Sequence, residues 1–530
     1  MSNKTYFGNE ARAKLKEGID IVAKSVACTL GANGRNVVFN KFSRVPIVTN
    51  DGVSIARHNE PEDLAVLQGA NLLKQVAERT NDEAGDGTTT ATVLAHAMIS
   101  AGMDILNTDS KVNPMKLRRE MKDAADFVLS EIEKKVIPIN TLEELENIAT
   151  ISVESPEIGK TIAKAIKDAG KSGVVYVNDH EDIGVSIEKV EGYQIQQGLI
   201  SPYLVTNPEK LETVLENPAI LLTEMPVHLN DDFLALIGAI TQRTKNILII
   251  CDEFHPDVLK FAVSNLAKGN FVMSIIKKPM QANYMEDIAA LVGGEVMNEQ
   301  KGKIKYNVNF LGTAEKVIVK QFTTTIIGGG GKDSIILNES GSISRFDSYT
   351  KNLQSQLEEA TDEPSKVKIQ ERLAKLTSGV YMLNVGEKTE SEAKYLRDKV
   401  DDAVNATKAA LDEGIVAGGG MTLYNIGKNL LKKKDATDGE KVIATACITP
   451  LFQILYNSGI DFSEVEGKFT DDKCGFDAIS LEVVPDIIEK GIIDPVKVTK
   501  NAFMNAAGFA GLILTTECLI SPLPDANKVV

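Results

Sequence analysis

Apolar residues recur at helical spacing from the start of the chain. Ala11, Leu15, Ile19, Val22 and Val26 stand three or four residues apart and share one face of an amphipathic helix. The same period runs through Leu64 to Arg79, Thr90 to Met103 and Pro114 to Val136, so the chain up to about Val136 reads as mainly helical. The middle changes character. Between Val190 and Thr325 short apolar runs alternate with helical stretches: Ile220-Leu221-Leu222, Ile247-Leu248-Ile249-Ile250 and Phe271-Val272-Met273-Ser274-Ile275-Ile276. Runs of that length predict buried strands in an α/β domain. The charged stretch Ser348 to Leu376 predicts an exposed helical hairpin turning at Asp362-Glu363-Pro364. Beyond Ala410 long helices return. Phe503 to Ile520 is strongly apolar, but Asn505, Thr515, Thr516 and Glu517 interrupt it. A membrane span needs ~20 apolar residues, so this stretch predicts a core helix running into a strand. The helix–sheet–helix order fits a helical domain interrupted by an α/β insertion.

Length and charge narrow the class. At 530 residues the chain exceeds what one core serves, and two to four domains of about 100–200 residues are expected. Lys and Arg number 58 against 74 Asp and Glu, a net charge of −16. Without a basic, aromatic-laced patch this argues against a nucleic-acid partner, and the acidic excess serves solubility. Cys28, Cys251, Cys447, Cys474 and Cys518 are odd in number and contain no CxxC pair, which predicts reduced thiols in a cytoplasmic compartment. The five histidines show no metal-ligand spacing. Met1 to Gly8 lacks the apolar core of a secretion signal, and no membrane partner is expected.

The segment richest in chemistry is Gly85-Asp86-Gly87-Thr88-Thr89-Thr90-Ala91-Thr92, directly before the apolar Val93 to Ile99. It predicts a tight turn opening a helix. Glycines allow close backbone approach to a ligand, while free N–H groups and the helix dipole favour an anion. The threonine hydroxyls add donors for phosphate oxygens, and Asp86 offers oxygen to a hard cation such as Mg²⁺. The alternative is an N-capped helix whose threonines satisfy only its own first turn. Gly328-Gly329-Gly330-Gly331-Lys332-Asp333 lacks the spacing of a phosphate loop, having Ile326 and Asp333 at the diagnostic positions, and is expected to be a loop. Ala417-Gly418-Gly419-Gly420 reads either as close helix packing or as backbone approach to a nucleotide.

Four segments, in order, resemble the group I chaperonins of the GroEL/Hsp60 type: Thr29 to Val38, Asn50-Asp51-Gly52-Val53-Ser54, Gly85 to Thr90, and Glu413 to Gly420. The likeness continues through Ser201-Pro202-Tyr203, Thr323 to Ile327, Gly491 to Pro495 and Thr515 to Cys518, nearly the whole chain. The resemblance implies a multidomain α and α/β subunit. Its helical equatorial domain would comprise residues 1–135 and 411–530, its small α/β intermediate hinge 136–190 and 379–410, and its α/β apical domain 191–378. It implies an ATPase that captures non-native polypeptides and promotes their folding in a heptameric ring, single or double, with a co-chaperonin lid as a further partner. ATP and Mg²⁺ are the implied cofactors, with K⁺ as an additional ion.

Position by position, the resemblance implies that Thr29, Leu30, Gly31 and Gly419 contact the nucleotide. Gly87, Thr88, Thr89 and Thr90 would cradle phosphates, and Asp86 would bind Mg²⁺. Asp494 would accept from the ribose, with Asp477 and Ala478 beside the base, while Asp51 and Asp402 would orient the attacking water. Asp402 falls on the hinge and would enter the site on closure. Leu199, Tyr203, Leu204, Leu234, Ile237, Leu259 and Val263 would form the apolar client groove; buried packing within the apical domain is the other reading of those faces.

The departures are specific. Ala32-Asn33 replaces Pro-Lys, and Asn50 replaces a lysine beside the phosphates. Gln197 replaces an arginine of an intersubunit salt bridge, and Ser264 an aliphatic groove residue. Phe452 and Glu464 replace basic and aliphatic residues of the ring–ring contact, and no Gly-Gly-Met tail follows Pro522. A divergent, phage-type member is expected. Two functions remain open: an ATP-driven foldase, or a binding scaffold that keeps the fold without ATP-coupled folding.

Overall fold

The structure is a computed structural model that describes residues 3–40, 46–108, 111–139, 141–153, 155–170, 174–180, 182–190, 192–208, 210–279, 283–298, 305–338, 341–359 and 363–522. Its helices begin with α1 (Gly8–Ala27), α2 (Gly52–His58), α3 (Leu64–Ala84), α4 (Thr88–Thr108), α5 (Pro114–Lys134), α6 (Leu142–Val153) and α7 (Pro156–Ala169). The middle holds α8 (Asp231–Thr241), α9 (Pro256–Ala267), α10 (Tyr284–Val292), α11 (Arg345–Glu359) and α12 (Glu363–Ser378). The chain then returns to helix in α13 (Glu390–Glu413), α14 (Met421–Leu431), α15 (Asp438–Asn457), α16 (Phe462–Val465) and α17 (Val496–Leu514). Two compact units result. The first takes residues 1–167, 177–186 and 384–530; the second takes 168–176 and 187–383.

The first unit is built from both ends of the chain. Ile19, Val22 and Val26 of α1 are fully buried, as the spacing predicts, and share one core with α2, α3, α4, α5, α14, α15 and α17. α4 is long and apolar enough to cross a bilayer. Here it is the central helix of that core, packed by α1, α3, α15 and α17. α17 ends at Leu514, and the chain continues into a strand, Cys518–Pro522, antiparallel to Asn3–Phe7. Helix into strand is the order expected of Phe503 to Ile520.

The second unit is α/β. Its sheet runs in the order Val272–Lys277, Asn246–Cys251, Ala219–Thr223, Gly312–Val319, Thr324–Gly329, Gly192–Ile195. The first three strands are parallel and the rest antiparallel. Side chains alternate across a strand, so Leu221, Ile249 and Ile275 face a core shared with α8 and α9. Ile220, Leu222, Leu248 and Ile250 face the opposite core, shared with α10, α11 and α12.

Two sequence expectations are corrected here. Gly328 and Gly329 are the last residues of a strand, not a loop; only the residues from Gly330 form the turn. Added side chains at Gly329 and Gly331 would run into the carbonyl oxygens of Leu291 and Ala290, so these glycines let the strand end press against α10. The charged helices α11 and α12 are not a free hairpin either. Leu353 and Leu376 are buried, and Arg372 pairs bidentately with Asp287 at 2.7 and 3.0 Å. Asp287 is fully buried and also accepts from the Tyr349 hydroxyl at 2.8 Å. The composition is polar because one face is solvated, while a narrow apolar stripe and one compensated charge hold the pair down. Asp362, in the expected turn, lies outside the described residues.

Candidate active site

Three loop-to-helix junctions of the first unit meet. α3 ends at Gly85, whose φ of +71° is the left-handed cap that glycine adopts without strain. Asp86 follows, and then Gly87 at φ +81°, after which α4 begins. The first N–H groups of a helix have no intrahelical partner, so the amides of Thr88, Thr89 and Thr90 are presented at the turn. Gly87 also lacks room for a side chain: an added Cβ would lie 2.6 Å from Val498 Cγ1 on α17. The second junction is Asp51, which caps α2 by accepting from the Val53 and Ser54 amides at 3.1 and 3.0 Å. An added Cβ at Gly52 would lie 2.5 Å from the Thr89 hydroxyl and 2.8 Å from that of Thr88, so the starts of α2 and α4 abut. The third is the turn after α1. Thr29 donates to the Val26 carbonyl at 2.8 Å and stands 3.4 Å, oxygen to oxygen, from Thr89.

Further residues close the site. Ile415–Ala417 pairs antiparallel with Ile493–Pro495, placing Val416 opposite Asp494 and Gly418 against the Asp494 carboxylate. Gly419 follows at φ +61°, beside Ile487 and Ile492. Asp477 is buried; it accepts from the Ile479 amide at 2.9 Å and the Ser480 hydroxyl at 2.8 Å, and it pairs with Lys490. Burial opposes its ionisation, but these bonds hold its carboxyl below the usual range. Leu30 packs on the core that includes Phe476 and Ala478.

Asp86, Asp402 and Asp494 are each half-buried deep in this arrangement. Burial raises the Asp86 carboxyl, the Gly87 N–H opposes it, and the charge of Asp51 raises it further. Burial drives Asp402 well above its ordinary value, with Asp86 and Asp51 adding to the rise. Asp494 is pushed up to about 7 by burial and then by Asp86. Among the described residues, the largest influences on all three are burial and neighbouring carboxylates, not cationic side chains. The structure thus brings together Thr29, Asp51, Asp86 to Thr90, Asp402, Gly419 and Asp494, while Gly31 lies against Ile454. Among the described residues no three His, Cys, Asp or Glu side chains stand at mutual metal-ligand spacing. The donors that are gathered, carboxylate and hydroxyl oxygens, have the chemistry that suits a hard cation such as Mg²⁺.

Sequence reasoning missed the amides that tie these loops together. Asn33 donates to the Ala478 carbonyl at 2.5 Å and to the Ser458 hydroxyl at 3.2 Å. Asn457 donates to the carbonyls of Ala27 and Leu30 at 2.9 and 2.8 Å. Asn405 donates to the Gly85 carbonyl at 3.3 Å. Their partners, four backbone carbonyls and the Ser458 hydroxyl, lie hundreds of residues away, and no local pattern marks them.

The expected client face in the second unit divides. Tyr203 is 76% exposed and Leu234 40% exposed. Leu259 and Val263 are half-buried and pack against the core beneath α8 and α9. Leu204 and Ile237 are corrected: both are core residues, at 0% and 3% exposure, because their helical faces turn toward the sheet. Leu199 packs toward the opposite core, with α10 to α12.

Solved structures of the same architecture exist. The chain is similar to the chaperonin gp146 from the bacteriophage EL 2 (Pseudomonas aeruginosa), crystallised in the presence of ATP-BeFx. In one crystal form the TM-score is 0.67 at 18% identity, covering 98% of this chain and 99% of that one. A second crystal form gives 0.60 at the same identity and coverage. At that identity the likeness concerns the fold. The sequence itself matches the TCP-1/cpn60 chaperonin family over residues 22–523. The match takes in the inserted α/β unit, the glycine–threonine turn and most of the helical unit, and the chain belongs to the TCP-1/cpn60 chaperonin family.

Proposed function

We propose that this chaperonin is an ATP-driven foldase of the group I type, binding ATP with Mg²⁺ in the first unit and non-native polypeptide on an apolar face of the second. The observation that carries the reading is the gathering of Asp51, Asp86, Asp402 and Asp494 around a turn of free helix-start amides, where, among the described residues, burial and neighbouring carboxylates are the largest influences on Asp86, Asp402 and Asp494. A carboxylate cluster of this kind repels a bare phosphate, and it suits a nucleotide that arrives with its own divalent cation. Mg²⁺, held by Asp86, would supply charge neutralisation on the phosphates.

The chain's own groups do the rest. The Thr88, Thr89 and Thr90 amides and hydroxyls hold phosphate oxygens. Asp494 accepts from the ribose, and Asp477 and Ala478 lie at the base, backed by Leu30 and Gly31. Asp51 and Asp402 orient a water for in-line attack, the part of phosphoryl transfer that needs positioning more than covalent help. Asp402 lies on α13, which we assign to a hinge formed by residues 136–190 and 379–410, between an equatorial domain (1–135, 411–530) and an apical one (191–378).

In the second unit, Tyr203 and Leu234, with Leu259 and Val263 partly covered, offer apolar area to unfolded chains at about 25 cal/mol per Å² removed from water. Assembly as a heptameric ring in the cytoplasm follows from the family reading. Phe452, on the proposed ring–ring surface, packs against Phe462 with ring centroids 4.5 Å apart and planes tilted by 44°, and Glu464 closes a capping box with Asp461. Both side chains are engaged within their own chain, which favours single rings. Phosphate release from ATP, measured with refolding of a denatured client, tests the reading. Turnover with ATP-dependent refolding supports it, and client binding without turnover returns the scaffold alternative.

A further inference from the structure

α13 is held against the phosphate turn by a contact one helical turn beyond Asp402. Asn405 follows Asp402 by three residues and so shares its face. Its side-chain amide donates to the Gly85 carbonyl at 3.3 Å. The space beside Gly85 is filled by that same side chain: a Cβ added at Gly85 would lie 2.5 to 2.8 Å from the Asn405 Cγ, Nδ2 and Cβ. Gly85 therefore serves two ends. Its φ of +71° ends α3, and its missing side chain admits Asn405. One turn further along, Ala409 packs with Ala84 and Val498, and Val498 is the residue that faces Gly87. Asp402, Asn405 and Ala409 thus form one stripe of α13 laid along the Ala84–Gly87 turn.

We propose that Asn405 is a positioning residue, a latch that fixes the Asp402 helix to the carbonyl of Gly85 and so sets where Asp402 meets the attacking water. The inference rests on the ATPase reading above and extends it to a residue that touches neither nucleotide nor ion. The latch acts on the docked helix, so it bears on turnover and leaves the nucleotide's own contacts in place.

The test uses the full assembled chain. Asn405→Ala is expected to lower kcat about tenfold, the ratio that the net worth of one hydrogen bond supports, while ADP affinity stays within twofold and the melting temperature holds. Asn405→Asp, equal in shape but lacking the donor, should lose at least as much; if it turns over at the parental rate, the bond is not the latch. A parental kcat in Asn405→Ala overturns the proposal, and so does an ADP affinity that falls in step with kcat. Amide exchange of residues 399–409 separates this test from the ATPase reading. Should the parent protein fail to hydrolyse ATP, the ATPase reading falls, and the latch stands only if Asn405→Ala speeds exchange in that stretch about tenfold. Unchanged exchange removes it.

Discussion

Replacing Asp494 by Asn should stabilise the unliganded protein at neutral and alkaline pH while weakening its hold on nucleotide. Burial, then the charge of Asp86, pushes the Asp494 carboxyl from 3.8 up to about 7. Between those values the native state keeps a proton that the unfolded chain has released, so stability falls as pH rises. Below pH 3.8 both states are protonated and the group costs nothing; above about 7 the full cost stands. A shift of about three units at ~1.4 kcal/mol each gives a ceiling of about 4 kcal/mol, lowered in practice by the residual solvent contact of a half-buried side chain. Asn keeps the shape and cannot ionise. The measurement is urea unfolding followed by far-ultraviolet circular dichroism, parent against Asp494→Asn, at pH 8 and pH 4.5. The variant should be more stable at pH 8, and most of that gain should vanish at pH 4.5. An ADP titration at pH 8 should show weaker binding, since on the proposed reading the ribose then meets an amide oxygen, a weaker acceptor than a carboxylate. A variant less stable than the parent at pH 8, or an equal gain at both pH values, refutes the reasoning.

Three further outcomes are expected. Asp402→Ala should cut ATP hydrolysis by about 100-fold or more with ADP affinity nearly intact, whereas Asp86→Ala should also weaken Mg²⁺-dependent binding; hydrolysis at the parental rate in Asp402→Ala removes its assignment. Tyr203→Ser with Leu234→Ser should abolish capture of an unfolded client at an unchanged melting temperature, while Ile237→Ala should cost about 2–5 kcal/mol of stability as a core truncation; a lowered melting temperature in the first variant returns those residues to the core. Native mass measurement at low salt, with and without ATP, should find single rings substantially populated in at least one state, and double rings alone in every state contradict that.

The helices of the first unit were legible because each buries one stripe against a common core. Ala11 to Val26, Leu64 to Arg79 and Pro114 to Val136 fall on α1, α3 and α5. The central strands were legible for the related reason that both their faces are covered, which makes them continuous apolar runs. Composition failed where two demands share one segment. In α11 and α12 the many charges concealed Leu353, Leu376 and the Arg372–Asp287 pair. At Gly329 and Gly331 the glycines answer to a neighbouring helix end, which a local reading cannot contain. Periodicity alone places none of the site, since Thr29, Asp51, Asp86, Asp402, Gly419 and Asp494 stand on six separate segments. The family motifs named those residues. Nothing in the motifs named Asn405 or Asn457, and Asn33 stood there only as a departure from the family's lysine; the partners of all three include carbonyls of distant turns.

The absence of lysine at two places bears on how such a site is closed. Asn50 precedes Asp51, and Asn33 spends its amide on the Ala478 carbonyl and the Ser458 hydroxyl. Neither contributes positive charge to Asp86, Asp402 or Asp494, whose carboxyls are all raised. With α13 docked, these groups stay together only by holding protons or by sharing a cation. On the proposed reading, the Mg²⁺ that arrives with ATP replaces those protons, and docking of the Asp402 helix and binding of Mg²⁺–ATP, though not of ADP, favour each other by the same factor. A ligand that binds only the docked form at 100 times its dissociation constant shifts the balance by about 2.7 kcal/mol. That exceeds the net ~1 kcal/mol of a single hydrogen bond such as the one from Asn405. The bond sets where α13 docks, and the cation determines whether it stays.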